Sequence, residues 1–186
     1  MTLKEVKKNT LALIGELNPE SEYLTDDEDI KAKIHSVINH IQFELARMKK
    51  LPEYVELDVA AGDMIRFADI KAAAGVDVYQ IDIVRGVDHD LKANGTIIKV
   101  LEEGTLEIEF FRYPTVINDE TADDFEMELH PDTLEILPYG VAGDLLKSDV
   151  SAEYGQVYSN RYETMLQRLD SRNAMSSISF TGGVDI

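Results

Sequence analysis

The hydrophobic period of this chain changes twice, and those changes limit its fold more than any other feature. Ile30, Ile34, Val37, Ile38, Ile41, Leu45 and Met48 recur at helical spacing, the pattern of a helix with one face packed into a core. Lys49 and Lys50 suit the negative end of the helix dipole, and Pro52 forbids continuation. The spacing predicts a helix over about 26–50, roughly 37 Å long at 1.5 Å per residue. Thr25-Asp26-Asp27-Glu28 reads as its capping box. A shorter helix is predicted over 2–17 from Leu3, Val6, Thr10, Leu13, Ile14 and Leu17, ending at Asn18-Pro19.

From Tyr54 the period becomes two. Residues 54–59, 64–67, 78–84, 96–101, 105–113 and 125–129 read as strands, while the alanine-rich stretch 68–76 suits a helical turn. Glu102-Glu103-Gly104 has the form of a three-residue hairpin with glycine at the left-handed position. Leu106, Ile108 and Phe110 alternate with Glu107 and Glu109, which gives that strand one buried and one wet face. Two polar segments, 86–95 with Asp88, His89 and Asp90, and 118–124 with Asp119, Asp123 and Asp124, are expected to project as loops and contact partners.

Helical spacing returns after His130-Pro131-Asp132 with Leu134, Leu137, Val141 and Leu145, and Pro138 with Gly140 should kink or divide that helix. A last helix runs from about Ser151 to 170 and carries Tyr154, Tyr158 and Tyr162 four residues apart. This tyrosine stripe fits either core packing or a flat face between subunits. The fold class is therefore α+β, mainly α. Residues 1–53 and 131–170 form a helical core bundle, 54–130 an inserted small antiparallel sheet, and 171–186 a flexible C-terminal tail. The tail carries Ile178, Phe180, Val184 and Ile186, more apolar side chains than a solubilising segment needs.

Composition narrows the function. The 186 residues fit one domain with a single core and one small lobe. Acidic residues number 36 against 18 basic, a formal charge of -18, so a concentrated basic face for duplex phosphates is not expected. Such a surface suits solubility, and it would also let DNA pass without adhesion. No apolar run approaches the roughly 18 residues that spanning a bilayer requires, and the N-terminus leads into an amphipathic pattern, so a cytoplasmic protein without a membrane partner is expected. Cysteine is absent, which removes disulfides, thiolate metal sites and cysteine nucleophiles.

Catalytic signatures do not present themselves. The serine nucleophile elbow, the phosphate loop and the His-Glu-x-x-His zinc motif are all missing. His35 and His40 stand five residues apart, about 140° around a helix, too far apart to grip one metal. Neither acidic loop has the glycine and terminal glutamate of a calcium loop. No catalytic residue, metal or cofactor is predicted. Two readings stand beside a structural one: an acidic regulator that mimics DNA, and a metal-dependent hydrolase using Asp119 or Asp123.

The stretch from His130 through Asp149, then Tyr154 to Leu169 with Asn160-Arg161-Tyr162-Glu163 inside it, resembles the C-terminal helices of the head-to-tail connector (adaptor) proteins of tailed bacteriophages. Leu24-Thr25-Asp26-Asp27-Glu28-Asp29-Ile30 and the long helix after it are similar to that family's first core helices. The resemblance implies a virion protein of the neck, made in the host cytoplasm. About twelve copies would form a ring beneath the portal around a DNA channel. It implies partners in the portal protein, in further copies of the chain and in a downstream neck or tail-completion protein. Ile178, Phe180, Val184 and Ile186 would then anchor the tail in the portal.

Overall fold

The structure, a computed structural model, describes residues 1–147 and 152–176. The protein is α+β and mainly helical, with two small antiparallel three-stranded sheets. By contact it divides into two units. One comprises Met1–Ile41, Asn118–Glu126 and the described residues from Pro131 onward; the other comprises Gln42–Ile117 and Met127–His130.

The first unit is helical. Helix α1 (Leu3–Ile14) opens on a capping box between Thr2 and Glu5 and closes on Gly15 at φ 79°, four residues before the proline that sequence reading took as its stop. Helix α2 (Glu28–Met48) is capped differently from the expectation. The Thr25 hydroxyl accepts from the Asp27 N–H, and the Asp27 carboxylate accepts from the N–H groups of Asp29 and Ile30. Asp27 is thus the N-cap, its charge facing the positive end of the dipole, and Thr25 orders the turn before it.

The expected kinked helix is two helices, α4 (Pro131–Leu134) and α5 (Leu137–Leu146), followed by α6 (Ala152–Ser176). The break falls before Pro138, which takes an early position of α5 where its missing N–H costs nothing. Gly140 is not a hinge. A Cβ there would lie 2.8 Å from both Ile41 and Tyr162, one at Gly143 2.7 Å from the Ser159 hydroxyl, and one at Gly155 3.0 Å from Leu146. These glycines let the backbones of α5 and α6 approach closely, which explains why α5 is almost wholly buried with few large side chains. Residues 171–176, expected as flexible tail, continue α6.

The second unit starts with the last turns of α2. Gln42 donates to the Thr115 carbonyl at 3.0 Å, the Tyr79 hydroxyl donates to the Ala46 carbonyl at 3.3 Å, and the Phe43 and Tyr113 rings stand 5.1 Å apart. The strands are β1 (Pro52–Val59), β2 (Met64–Arg66), β3 (Val78–Gly86), β4 (His89–Lys92), β5 (Ile97–Val100) and β6 (Gly104–Arg112), with helix α3 (Phe67–Ala74) after β2. One sheet has the order β1-β6-β3 and the other β2-β5-β4.

The two sheets share the same three chain passes, each bent once, with the third pass in the middle of both. Hydrogen bonds continue at the bends: Gly62 N–H to the Val100 carbonyl and Leu101 N–H to the Asp88 carbonyl, both 2.9 Å. Each bend carries a glycine at positive φ, at Gly62, Gly86 and Gly104. At Gly86 the requirement is strict, because a Cβ would stand 2.2 Å from the Thr105 carbonyl oxygen. Bending turns one face of the passes inward around Ile70 of α3, together with Ile98, Val100, Leu106, Ile108 and Phe110. Glycine kinks of this kind are how a sheet acquires curvature.

Three sequence expectations are corrected here. Glu102-Glu103-Gly104 is no hairpin, since β5 and β6 lie in different sheets and it forms a bend of the central pass. The hairpin joins β4 to β5 through Ala93, Asn94 and Gly95, all at positive φ, inside the segment expected as a projecting loop. Residues 125–129 form no strand; Glu126 bridges to Thr2 and the Phe125 carbonyl accepts from the Leu3 N–H at 2.8 Å, while Met127 and Leu129 are buried.

Glu128 locks the end of the sheet unit. Its carboxylate accepts from Arg112 at 2.7 Å, the Thr115 N–H at 2.9 Å and the Thr115 hydroxyl at 3.1 Å. Burial raises its pKa, but the Arg112 and Thr115 hydrogen bonds outweigh this and hold it below the ordinary glutamate range. A carboxyl depressed on folding stabilises above its unfolded pKa of about 4.3 and loses that contribution as pH falls through the lower folded value. Glu128→Gln should therefore melt below the parent at pH 7, with the gap narrowing under about pH 4. A gap independent of pH in thermal melts would contradict this.

Candidate assembly surfaces

The tyrosines of α6 do not share one environment. Tyr162 is buried against Gly140, and the Tyr158 hydroxyl donates to the Leu13 carbonyl of α1. Tyr154 is 70% exposed and, with Val157 at 61%, forms an apolar patch on the outward side of the helix. The reason is angular: each four-residue step overshoots a full turn by about 40°, so the stripe leaves the packed seam within two steps. Of the proposed interface residues, Tyr158 and Tyr162 serve the fold and Tyr154 remains available. Ser151, expected as the N-cap, and the tail residues Ile178, Phe180, Val184 and Ile186 lie outside the described residues.

The structure separates the two acidic segments. His89 and Asp90 belong to β4 rather than a projecting loop. The ring Nδ1 of His89 hydrogen-bonds the Val87 carbonyl at 2.8 Å. The Asp90 carboxylate pairs with Lys92 at 2.9 Å, and its pKa is lowered chiefly by that hydrogen bond and charge. Asp88 is exposed at the bend.

Segment 118–124 is a true turn, internally bonded through Asn118 and Thr121. Two of its carboxylates are engaged by bases of the helical unit. Asp119 accepts from His35 Nδ1 at 2.9 Å, and Asp123 pairs with Lys7 at 3.3 Å and Lys4 at 3.9 Å. Asp124 is exposed. His40 stands 4.0 Å from Asp144. Among the described residues no three His, Asp or Glu side chains are placed to hold one metal ion, and no helix is long and apolar enough to cross a membrane.

Sequence reasoning missed the outer face of the β1-β6-β3 sheet. The register sets Tyr54, Glu109 and Ile83 in one row and Glu56, Glu107 and Arg85 in the next. Tyr54 and Ile83 remain exposed at 47% and 38%. Arg85 pairs with Glu109, and the Tyr54 hydroxyl donates to Glu56. That hydrogen bond, with smaller contributions from burial and the neighbouring glutamates, pushes the Tyr54 phenol up to about 12. Glu56 directly opposite Glu107 is a like-charge pair, which costs stability. The alternation of Glu107 and Glu109 showed that this face is wet, but only register could show which carboxylates it gathers.

The described residues thus leave large apolar side chains exposed on these two faces, Tyr154 and Val157 on α6 and Tyr54 and Ile83 on the acidic sheet face. No family model matches the chain, and no curated protein is significantly similar to it.

Proposed function

We propose that this chain is a structural assembly subunit of the head-to-tail connector type, joining a DNA-filled capsid to its tail as one of about twelve copies in a ring beneath the portal. The observation that carries this reading is the exposed pair Tyr154 and Val157 on a helix that buries Tyr162 and Leu169 within its own unit. Large apolar side chains grouped on the surface of so acidic a chain are what a contact between copies needs, since tyrosine supplies area at small entropic cost. The tail, with Ile178, Phe180, Val184 and Ile186, serves the portal, and the turn at Asp119 to Asp124 faces the next neck protein. The acidic surface keeps passing DNA free of adhesion.

The double substitution Tyr154→Arg and Val157→Glu tests the reading. Folding stability should stay within about 0.5 kcal/mol of the parent, because both positions are exposed. Ring formation on added portal, followed by mass photometry, should fall at least about tenfold. Rings that form as readily as with the parent would refute the assignment.

The Glu56 and Glu107 pair favours a second reading, an acidic regulator that mimics DNA. It predicts a one-to-one complex with a nucleic-acid-binding protein that weakens steeply with salt, and no ring with portal.

A further inference from the structure

The helical unit encloses a cavity of about 640 Å³ between α1, α2, the turn that joins them and the 118–124 turn. That volume lies within the roughly 300–1,000 Å³ of small-molecule sites. Three bases line it, and each is paired with a carboxylate in the same sense. Side-chain exposures are 13% for Lys7 against 44% for Asp123, 20% for Lys31 against 85% for Glu28, and 18% for His35 against 98% for Asp119. The bases are inside and the acids stand at the rim.

One further feature of the same wall is costly. The Nε2 atom of His35 is buried without a hydrogen-bond partner; its Nδ1 carries the proton given to Asp119, since a carboxylate only accepts, so Nε2 is an acceptor that suits an O–H of a ligand such as that of hydrogen phosphate. An unsatisfied polar atom at a cavity wall is what a site held ready for a ligand shows.

We infer that this cavity binds a small oxyanion with two negative charges, held by Lys7 and Lys31. The rim carboxylates Asp123 and Glu28 occupy these ammonium groups when the ligand is absent. The rim carboxylates are the more exposed members of these pairs, and such ion pairs contribute little to stability, so an entering dianion displaces them at small cost and takes over both lysine ammonium groups. The Tyr23 ring, 5.4 Å from the Lys31 ammonium, keeps that cation in place. The inference is independent of the ring assignment, because it concerns only the interior of the helical unit.

The test uses the full chain and two probes, inorganic phosphate and succinate, each titrated at constant ionic strength against sodium chloride and followed by amide chemical shifts. At least one probe should give saturable shifts at Lys31, His35 and Thr121 in about the millimolar range or below. Lys7→Met and Lys31→Met should each weaken it at least about tenfold, and Lys31→Arg should restore most of the loss. Glu28→Gln is the decisive variant. Removing an internal competitor should tighten binding severalfold, whereas removing a merely structural ion-pair partner would leave affinity unchanged or lower. Saturation by phosphate alone assigns an inorganic or phosphoryl ligand, and by succinate alone a dicarboxylate. No saturable shift with either probe, identical shifts with chloride, or affinity unmoved by both lysine variants would overturn the proposal.

Discussion

Replacing Phe110 with alanine is expected to remove about 3–5 kcal/mol from the stability of the sheet unit. Phe110 is fully buried and lies in β6, in the middle of its sheet, where it faces Glu53 of β1 and Ile81 of β3 in register. Its ring fills the space enclosed by the bent passes together with Ile70, Ile98 and Ile108. A β-sheet backbone cannot collapse into the vacated volume without breaking ladders on both sides, so the cavity term adds to the lost transfer energy. Single domains hold only about 5–15 kcal/mol in total, so the loss is a large fraction of what such a unit has. Urea unfolding followed by far-ultraviolet circular dichroism should show the fall, and Phe110→Leu should cost under about 1.5 kcal/mol. A loss below about 1 kcal/mol for the alanine variant would mean that the passes do not close around this residue.

Gly140→Val should cost the helical unit about 2–3 kcal/mol by overpacking. The added atoms would enter the space held by the Ile41 Cγ2 atom and the Tyr162 ring, each 2.8 Å from the first carbon. Neither can yield cheaply: Ile41 is β-branched on α2, and Tyr162 is buried. Alanine separates the steric effect from propensity, because removing glycine from a helix interior gains about 1 kcal/mol. Gly140→Ala should therefore lie between parent and valine variant in thermal melts. A stabilised alanine variant would show that α5 and α6 have room to part. If α6 supplies the contact between copies, the valine variant should also weaken rings while leaving the Tyr154 patch intact, and the tail truncated after Ser176 separates portal anchoring from this effect.

Much of the local structure was legible in the chain. The apolar stripe from Ile34 to Leu45 forms the buried face of α2, the alternation of Leu106, Ile108 and Phe110 gives the inward face of β6, and Pro138 divides the helices near where it must. Asn94-Gly95 carried a clear hairpin signal as well, hidden by the polarity of the segment around it. The expected hairpin at Glu102-Glu103-Gly104 failed because glycine at positive φ serves a bend as well as a turn. Only the strands that neighbour it decide which. The capping box failed by two residues for a similar reason: Thr25 and Asp27 both offer an acceptor, and the one that wins is the one whose backbone points along the helix.

The candidate surfaces show the same division. Sequence spacing put the three tyrosines on one stripe, yet their burial depends on where α1 and α5 lie. Asp119 and Asp123 read as solvated loop acids because their basic partners, Lys7 and His35, are remote in the chain and brought together only by folding. Periodicity, proline and net charge belong to neighbouring residues and act locally, so the sequence alone determined the helices, most of the strands and the acidic character. Which strands share a sheet, which tyrosine stays outside and which bases line a cavity are matters of long-range contact, and those the tertiary structure decided.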